Sequence, residues 1–565
     1  MLLAMSKDKK INKQKETISK ASGTSFTWMI LPLLAVTFIV YAKSLSFFIT
    51  QLDDYILIFE KEQFNKITNI FKAFTVGTFG EKDIYYRPFL QISFMIEQLV
   101  SKDSVAIYHF NNILLHLIAV YLVFRLFIVM GKATNTAWAL ASLFALHPAL
   151  TMAVAWIPGR NDSLLTVFTL CFFIQLIRYL QSDNPKHLIL QGLFFFLALF
   201  TKETAFFIPF VSAAIILALP LPRKPKQLLL LASVWVPIVG VWALLKTNVS
   251  DNSLFKDGIM TQVYLIAERM PRILLYLGKV FIPIELSNYP SAENMNIWWG
   301  IMALVVLIAL IAATKKKNMP IMLFGLFWFI VFIIPFFLVP KGINDQVFEH
   351  RLYLPLIGML IVMSESALFN GQWRNEYNRY ALFAVLLFYS YQIYSYLPRF
   401  DNPIVFWENA VKDSPNSSYA NNQLAARYVN DKRKAEALPL FIKAHKLNDA
   451  EPYCRFFIAR DYYLPKDSVD KAIQLLKEEI ILNPKYVEAY FELSGIYFKQ
   501  NNFNEVVVYL EKCKELRPND PLINNNLLLT YIKLRQKQKA EQLVQFMNQQ
   551  GINVPQAALY DIRAL

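Results

Sequence analysis

Cysteine is almost absent: Cys171 sits in an apolar run, Cys454 and Cys513 in a polar region, with no CxxC pair, no zinc-type spacing and no even-numbered framework. Neither a disulfide scaffold nor a structural zinc is indicated. The six histidines form no HxxxH or HExxH cluster, so no built metal site is expected, although a carboxylate with a histidine could hold a divalent ion loosely. Glycine is scarce, at 16 of 565 residues, and charged residues make up only 18%, crowded into the N-terminal tail, a few short loops and the last third. The long charge-free stretches between them exclude a disordered chain. With 55% hydrophobic and 15% aromatic residues the chain is too apolar for a soluble protein of this size and belongs in a membrane. Its net charge of +15 does not point to nucleic acid, because Lys and Arg flank apolar segments instead of forming one basic, aromatic-studded surface. Topology signals and anionic membrane lipid account for them better.

The tail at 1–25 carries Lys7, Lys9, Lys10, Lys13, Lys15 and Lys20, and the segment 26–45 behind it is long enough to cross a bilayer. Further spans are expected at 108–130, 137–157, 163–180, 188–200, 205–219, 228–245, 297–313, 319–339, 352–368 and 381–397, giving about eleven crossings. The basic loops at Lys132, Lys186, Arg223, Lys224 and Lys226, Lys315 to Lys317, and Arg374 with Arg379 all face the cytoplasm if the segment 264–283 does not cross. That segment carries Glu268, Arg269, Arg272 and Lys279 with Pro271, and reads as a re-entrant or interfacial helix on the outer face. In the outer loop 46–107, Ile56, Phe59, Phe64, Ile67, Ile70, Phe71 and Phe74 recur at helical spacing among Glu60, Lys61, Glu62, Lys66 and Lys72, predicting an amphipathic surface helix.

From 398 the composition turns polar and a 34-residue repeat begins. Leu424, Ala425 and Tyr428 answer to Ile458, Ala459 and Tyr462, and Leu493, Ser494 and Tyr497 to Leu527, Leu528 and Tyr531. Ala437, Ala472, Val506 and Ala540 take the small position, and Pro484 and Pro518 close their units. The pattern predicts about four tetratricopeptide units over 398–565, with one extra residue near 464–466 absorbed as a loop insertion.

Chemistry concentrates on the outer side. Asp53 and Asp54 follow the first span directly; a neighbouring like charge and partial burial both raise a carboxylate pKa towards a general base, while a loop start or helix N-cap would also explain them. The other outer loops mix acids, bases, His and Tyr: Tyr85-Tyr86-Arg87-Pro88, His147-Pro148, Gly159-Arg160-Asn161-Asp162, Thr201-Lys202-Glu203-Thr204 and Glu349-His350-Arg351. Plain alternatives stand beside each. Arg87 and Arg351 could snorkel to headgroups, Lys202 and Glu203 could pair with each other, and His147 could be a satisfied interfacial histidine. Asn111, Asn112 and His116 inside the second span read as hydrogen-bonding glue between helices.

The acidic pair, the amphipathic helix, Tyr-Arg-Pro, Tyr108-His109, His147-Pro148, the stretch from Trp156 to Asp162 (WIPGRND), Lys202-Glu203-Thr204, Asn288-Tyr289, the stretch from Glu349 to Pro355 (EHRLYLP), then a tryptophan and repeats, occur in an order that resembles the transmembrane and tetratricopeptide repeat-containing O-mannosyltransferases. These are similar to protein O-mannosyltransferases and aminoarabinose transferases, and the Lys/Asn/Ile-rich composition resembles a bacterial member. The resemblance implies an all-α chain, a GT-C-type catalytic domain at 26–397 followed by a tetratricopeptide solenoid. It implies Asp53 as catalytic base with Asp54 as second choice or orienter. Arg87, Arg160, Lys202, His350 and Arg351 would face the donor phosphate, supported by Tyr86, His147, Asp162, Glu203 and Glu349. The expected function is inverting transfer of a sugar, plausibly mannose, from a polyprenyl-phosphate carrier to a hydroxyl acceptor, protein Ser or Thr, reached through the repeats. No cofactor is required, the N-terminus is cytoplasmic, and the repeats lie on the periplasmic or lumenal side. A lipid-linked glycan ligase or polymerase, and a non-catalytic membrane-tethered scaffold, are the alternatives.

Overall fold

The computed structural model describes residues 28–59, 67–80, 84–101, 104–220, 224–249, 258–315, 317–338, 346–369 and 376–565. The basic tail, the middle of the surface segment at 60–66, Arg223, Lys316, Arg374 and most of the loop before Gln346 lie outside them. Among the described residues every regular element is helical, with a single isolated bridge between Ser291 and Gln346. The chain divides into two compact units, Met1–Asp413 and Ser414–Leu565.

The first unit contains α1 (Leu31–Tyr41), α2 (Pro88–Ser101), α3 (Val105–Val129), α4 (Thr134–Ala145), α5 (Thr151–Ala155), α6 (Arg160–Ser182), α7 (Pro185–Leu199), α8 (Ile208–Ala218), α9 (Pro225–Val249), α10 (Ile259–Arg269), α11 (Arg272–Phe281), α12 (Ile297–Ala313), α13 (Met319–Ile333), α14 (Pro355–Ser364), α15 (Glu376–Tyr396) and α16 (Pro403–Asp413). Each of the eleven apolar segments expected from the sequence holds helix among its described residues. Among the described residues five helical stretches are long and apolar enough to cross a membrane, or six if one bent pair is a single span, and four shorter apolar helices accompany them. At 1.5 Å per residue the 25 residues of α3 reach ~37 Å, more than the ~30 Å of a hydrocarbon core.

Two expectations change here, and a third gains detail. The span expected at 137–157 is not one rod: α4 and the helical stretch Pro148–Ala155 meet at 54°. Pro148 supplies no N–H to continue the helix, and the His147 ring accepts from the Ala149 N–H at 3.3 Å, capping the new start. The outer-loop segment is not one regular helix either. It forms a π-turn at Tyr55–Phe59 and a 3-10 stretch at Ile67–Phe74, where Ile67 and Phe71 are exposed and Ala73 is buried. The segment 264–283 is two helices, α10 and α11, separated at Met270-Pro271, with Arg269 and Lys279 buried.

Helices pack closely where glycine allows it. A Cβ on Gly325 of α13 would come within 2.6 Å of the Gly358 carbonyl oxygen on α14, and one on Gly358 within 2.5 Å of that of Gly325. Gly159 is held the same way, since a Cβ there would lie 2.8 Å from Ala153 Cα. That contact folds the start of α6 onto α5.

The second unit is a run of helix pairs: α17 (Ser418–Asn430) with α18 (Lys434–Leu447), α19 (Cys454–Ile458) with α20 (Val469–Leu482), α21 (Val487–Lys499) with α22 (Phe503–Leu516), and α23 (Pro521–Lys533) with α24 (Lys537–Gln549). Ala437, Ala472, Val506 and Ala540 are all buried, as close approach of paired helices requires. The extra residue of the second unit is not a loop insertion: α19 runs on into a π-turn at Ala459–Tyr463, where the wider turn takes up the additional residue inside the helix. A last helix, α25 (Gln556–Ala564), buries Ala558 and Ile562 against the core that holds Ala540 and Leu543.

Candidate functional site

The acidic pair is set by the chain leaving α1. Gln51 takes a left-handed conformation at φ +56°, and Leu57 N–H donates to the Asp53 carbonyl at 3.1 Å, so Asp53 opens the short turn that follows. Asp54 is fully buried; the Thr50 hydroxyl donates to its Oδ2 at 2.6 Å and the Trp156 indole stands beside it. Asp53 is half-buried, and no hydrogen bond to its carboxylate occurs among the described residues. An N-cap would be accepting one. Burial and the charge of Asp54 push its pKa up to about 7, against the lowering pull of Arg87.

The basic side of the cluster comes from three loops. Arg87 Nε donates to Glu203 Oε2 at 3.0 Å, and Glu203 Oε1 accepts the Tyr86 N–H at 2.8 Å. Lys202 does not pair with its neighbour Glu203, as one reading of the sequence had it: its Nζ donates to Asp162 Oδ1 at 2.7 Å. Burial, with Arg87 and Arg351 nearby, pulls the Lys202 pKa down to about 8 although Asp162 opposes this. Arg351 is buried, not snorkelling; its Nη1 donates to the Gln346 carbonyl at 2.7 Å and its guanidinium also meets Tyr276. Burial and the surrounding Lys202, Arg351 and Arg87 hold His350 well below the usual imidazole range, so it enters the site as a neutral ring.

Aromatic rings tie these loops together. Phe336 lies under both the Lys202 ammonium, at 5.0 Å, and the Arg351 guanidinium, at 5.2 Å. Phe348 takes the other contact with Arg351 at 5.2 Å and stacks on His350 at 5.1 Å, while Trp156 packs on His350 at 5.2 Å. The sequence reading missed Phe336 and Phe348, and it also missed Tyr276 and Gln346.

The remaining candidates are engaged elsewhere. Arg160 is buried with its Nη1 2.5 Å from Glu97 Oε2, its Nε donating to Asn112 Oδ1 at 2.8 Å and its Nη2 to the Tyr108 carbonyl at 2.9 Å. Asn112 in turn donates to the carbonyls of Val154, Trp156 and Ile157, so this network fixes the turn that carries Trp156. Glu349 pairs with Lys279 and accepts the Ser287 N–H at 3.2 Å. Both ring nitrogens of His147 are used, by the Val280 carbonyl at 3.0 Å and the Ala149 N–H. His116 bridges the Tyr353 hydroxyl at 2.6 Å and the Ala145 carbonyl at 2.9 Å, and Asn111 donates to Glu97 at 2.6 Å. Among the described residues no group of three or more His, Cys, Asp or Glu is placed to hold a metal ion.

Asp53, Asp54, Arg87, Asp162, Lys202, Glu203, His350 and Arg351 thus converge from distant positions, and known proteins share parts of this chain. Protein O-mannosyl-transferase Tmtc1 of Drosophila melanogaster is 33% identical over 120 residues, 21% of this chain and 14% of the fly protein. The chain is similar to the transmembrane and tetratricopeptide repeat O-mannosyltransferases. Protein O-mannosyl-transferase F38B6.6 of Caenorhabditis elegans is 32% identical over 112 residues, 19% of this chain and 16% of the worm protein. Protein O-mannosyl-transferase TMTC3 of Homo sapiens is 34% identical over 100 residues, 18% of this chain and 11% of the human one. The match therefore spans well under a fifth of each relative's length. A tetratricopeptide repeat family matches residues 487–520, that is α21, α22 and the turn after them. Among solved structures, the crystal structure of MamA protein matches at 19% identity over 26% of this chain and 79% of that chain, with a TM-score of 0.22, too low to support a fold argument.

Proposed function

We propose that this chain is a polytopic inverting glycosyltransferase that moves mannose from a polyprenyl-phosphate carrier to Ser or Thr hydroxyls of proteins. The observation that carries the proposal is the free carboxylate of Asp53, poised near neutrality beside Arg87 in a cluster where the neighbouring acids Asp54, Asp162 and Glu203 are each hydrogen-bonded or ion-paired. The relatives' printed names support the reaction class.

In this reading the acceptor hydroxyl loses its proton to Asp53 as its oxygen attacks the anomeric carbon. The bond from that carbon to the carrier phosphate breaks with inversion, and the negative charge that develops on the phosphate is met by Arg87, Arg351 and Lys202. Arg351, clamped between Phe336 and Phe348, presents a fixed guanidinium to phosphate oxygens. Asp54 keeps the Asp53 pKa high and is itself held by Thr50. Arg160 and Glu349 act as positioning residues through Asn112 and Lys279. Fixed cations carry the electrostatic work, so the reaction as proposed requires no metal. A GT-C-type domain with eleven crossings, a cytoplasmic N-terminus, and site and repeats on the outer face complete the reading.

The test is transfer of labelled mannose from synthetic polyprenyl-phosphate mannose to protein by the purified full chain in liposomes. Labelled protein with the wild type, and label lowered by roughly 10²-fold or more with Asp53→Asn, is expected. Label that appears equally with both proteins sinks the proposal.

A further inference from the structure

The Tyr108 carbonyl and the Arg160 guanidinium bring the N-terminal ends of α3 and α6 together at the site end, and the two helices pack along their length. Their other ends therefore also meet. Arg125 on α3 and Arg178 on α6 lie roughly 26 Å along the helices from Tyr108 and Arg160, close to the thickness of a hydrocarbon core. There the two half-buried arginines are near enough for their charges to repel, with Tyr121 one helical turn before Arg125. Neither is ion-paired to a carboxylate among the described residues.

The surroundings add hydrogen-bonding groups and one further cation, Lys186. His187 at the start of α7 donates through Nδ1 to Gln175 Oε1 at 2.7 Å, and Gln175 shares the face of α6 that carries Arg178. Lys186 is exposed beside it. The acid at this end of α6, Asp183, is already taken: Lys224 reaches its Oδ2 at 3.0 Å and Gln227 its Oδ1 at 3.0 Å. Two neighbouring guanidinium groups repel each other, and an anion between them relieves that repulsion. At a bilayer boundary the abundant anion is a lipid phosphate, whose oxygens match the planar donor fork of arginine.

We propose that Arg125 and Arg178, with Gln175, His187 and Lys186 around them, form a binding site for the phosphate of one anionic lipid headgroup at the membrane face opposite the catalytic cluster. The proposal rests on the membrane reading and not on transferase activity.

Full-length protein in neutral detergent, titrated with phosphatidylglycerol, phosphatidylcholine or inorganic phosphate alone and followed by native mass spectrometry, tests it. One retained phosphatidylglycerol, bound in preference to phosphatidylcholine, is expected. Arg125→Gln combined with Arg178→Gln should weaken it roughly 30-fold, at about one lipid-attraction increment per arginine, whereas Lys315→Gln should not. An undiminished phosphatidylglycerol adduct in the double variant overturns the proposal, as does inorganic phosphate binding as tightly as the lipid. If the double variant does not fold, the wild type decides: equal retention of phosphatidylglycerol and phosphatidylcholine overturns it.

Discussion

At the level of single side chains, the acids differ by what they are bonded to. Asp54, Asp162, Glu203, Glu349 and Glu97 each accept a hydrogen bond or hold a cation, whereas no hydrogen bond to the Asp53 carboxylate occurs among the described residues. Under the proposed function, Asp53→Asn should lower transfer by roughly 10²–10⁴-fold, as loss of a general base does. The wild-type rate should rise as Asp53 ionises near pH 7 and fall as Lys202 loses its proton near pH 8, giving a narrow optimum between them. A flat profile from pH 6 to 9 would remove both residues from the reaction. Stability carries an opposite sign. The folded pKa of Asp53 lies above its ordinary value of 3.8, so the stability that its protonated form contributes is complete below about pH 4 and lost as pH rises through about 7. The Asn variant escapes that loss. Its melting temperature should match the wild type at pH 4 and exceed it at pH 8, and a lower value at pH 8 would show that Asp53 is structural. Glu97→Gln should behave differently. It strands buried Arg160 and should destabilise the protein by ~3–5 kcal/mol in a denaturant titration. These residues were not equally readable in sequence. Asp53, Arg87, Lys202 and Arg351 stood out because charge is rare at a bilayer boundary. Phe336 and Phe348 did not, because in a chain with 46 phenylalanines two more carry no signal. The fate of Arg160 depended on a glutamate 63 positions away.

At the level of elements, the apolar runs foretold where helices form, since burial in lipid leaves the backbone no other way to satisfy itself. They did not foretell how helices bend or touch. The break at His147-Pro148 was masked by the unbroken hydrophobicity of the run from Ala137 to Ile157, although the proline was in view. The α13–α14 contact depends on two glycines 33 residues apart, which no periodicity joins. Gly358→Ala should therefore force the helices apart and cost ~1–3 kcal/mol, with α14 carrying the Glu349–Leu352 turn just before it. Gly240→Ala on α9, where a Cβ meets nothing within 4 Å, should instead stabilise by up to ~1 kcal/mol through helix propensity. Thermal unfolding of both variants in detergent checks this, and equal effects of the two would refute the close-contact account.

At the scale of the whole molecule, the 34-residue repeat was readable because four units share small and aromatic positions, but where the first unit ends was not. Composition turns polar after Leu397, yet α16 belongs to the first unit: Phe406 and Trp407 are buried, Asn288 donates to the Phe406 carbonyl at 2.8 Å, and Arg399 pairs with Asp413 at 2.7 Å. Two truncations therefore have different consequences under the expectation from the sequence that the acceptor is reached through the repeats. Ending the chain after Asp413 removes only the repeat unit, and should abolish transfer to protein while donor binding and slow hydrolysis of the carrier-linked sugar persist. Ending it after Leu397 also strips Trp407 from Tyr289, a ring pair 5.6 Å apart, and leaves Asn288 without its main carbonyl partner inside the unit. Large buried aromatics lost in this way cost ~3–5 kcal/mol each, so the shorter protein should lose donor hydrolysis as well and unfold at lower temperature. Parallel assays of hydrolysis, protein labelling and melting on the two truncations separate acceptor selection from support of the fold. Protein labelling that survives removal of residues 414–565 would deny the repeats any part in choosing the acceptor, and identical melting of both truncations would deny α16 its place in the first unit.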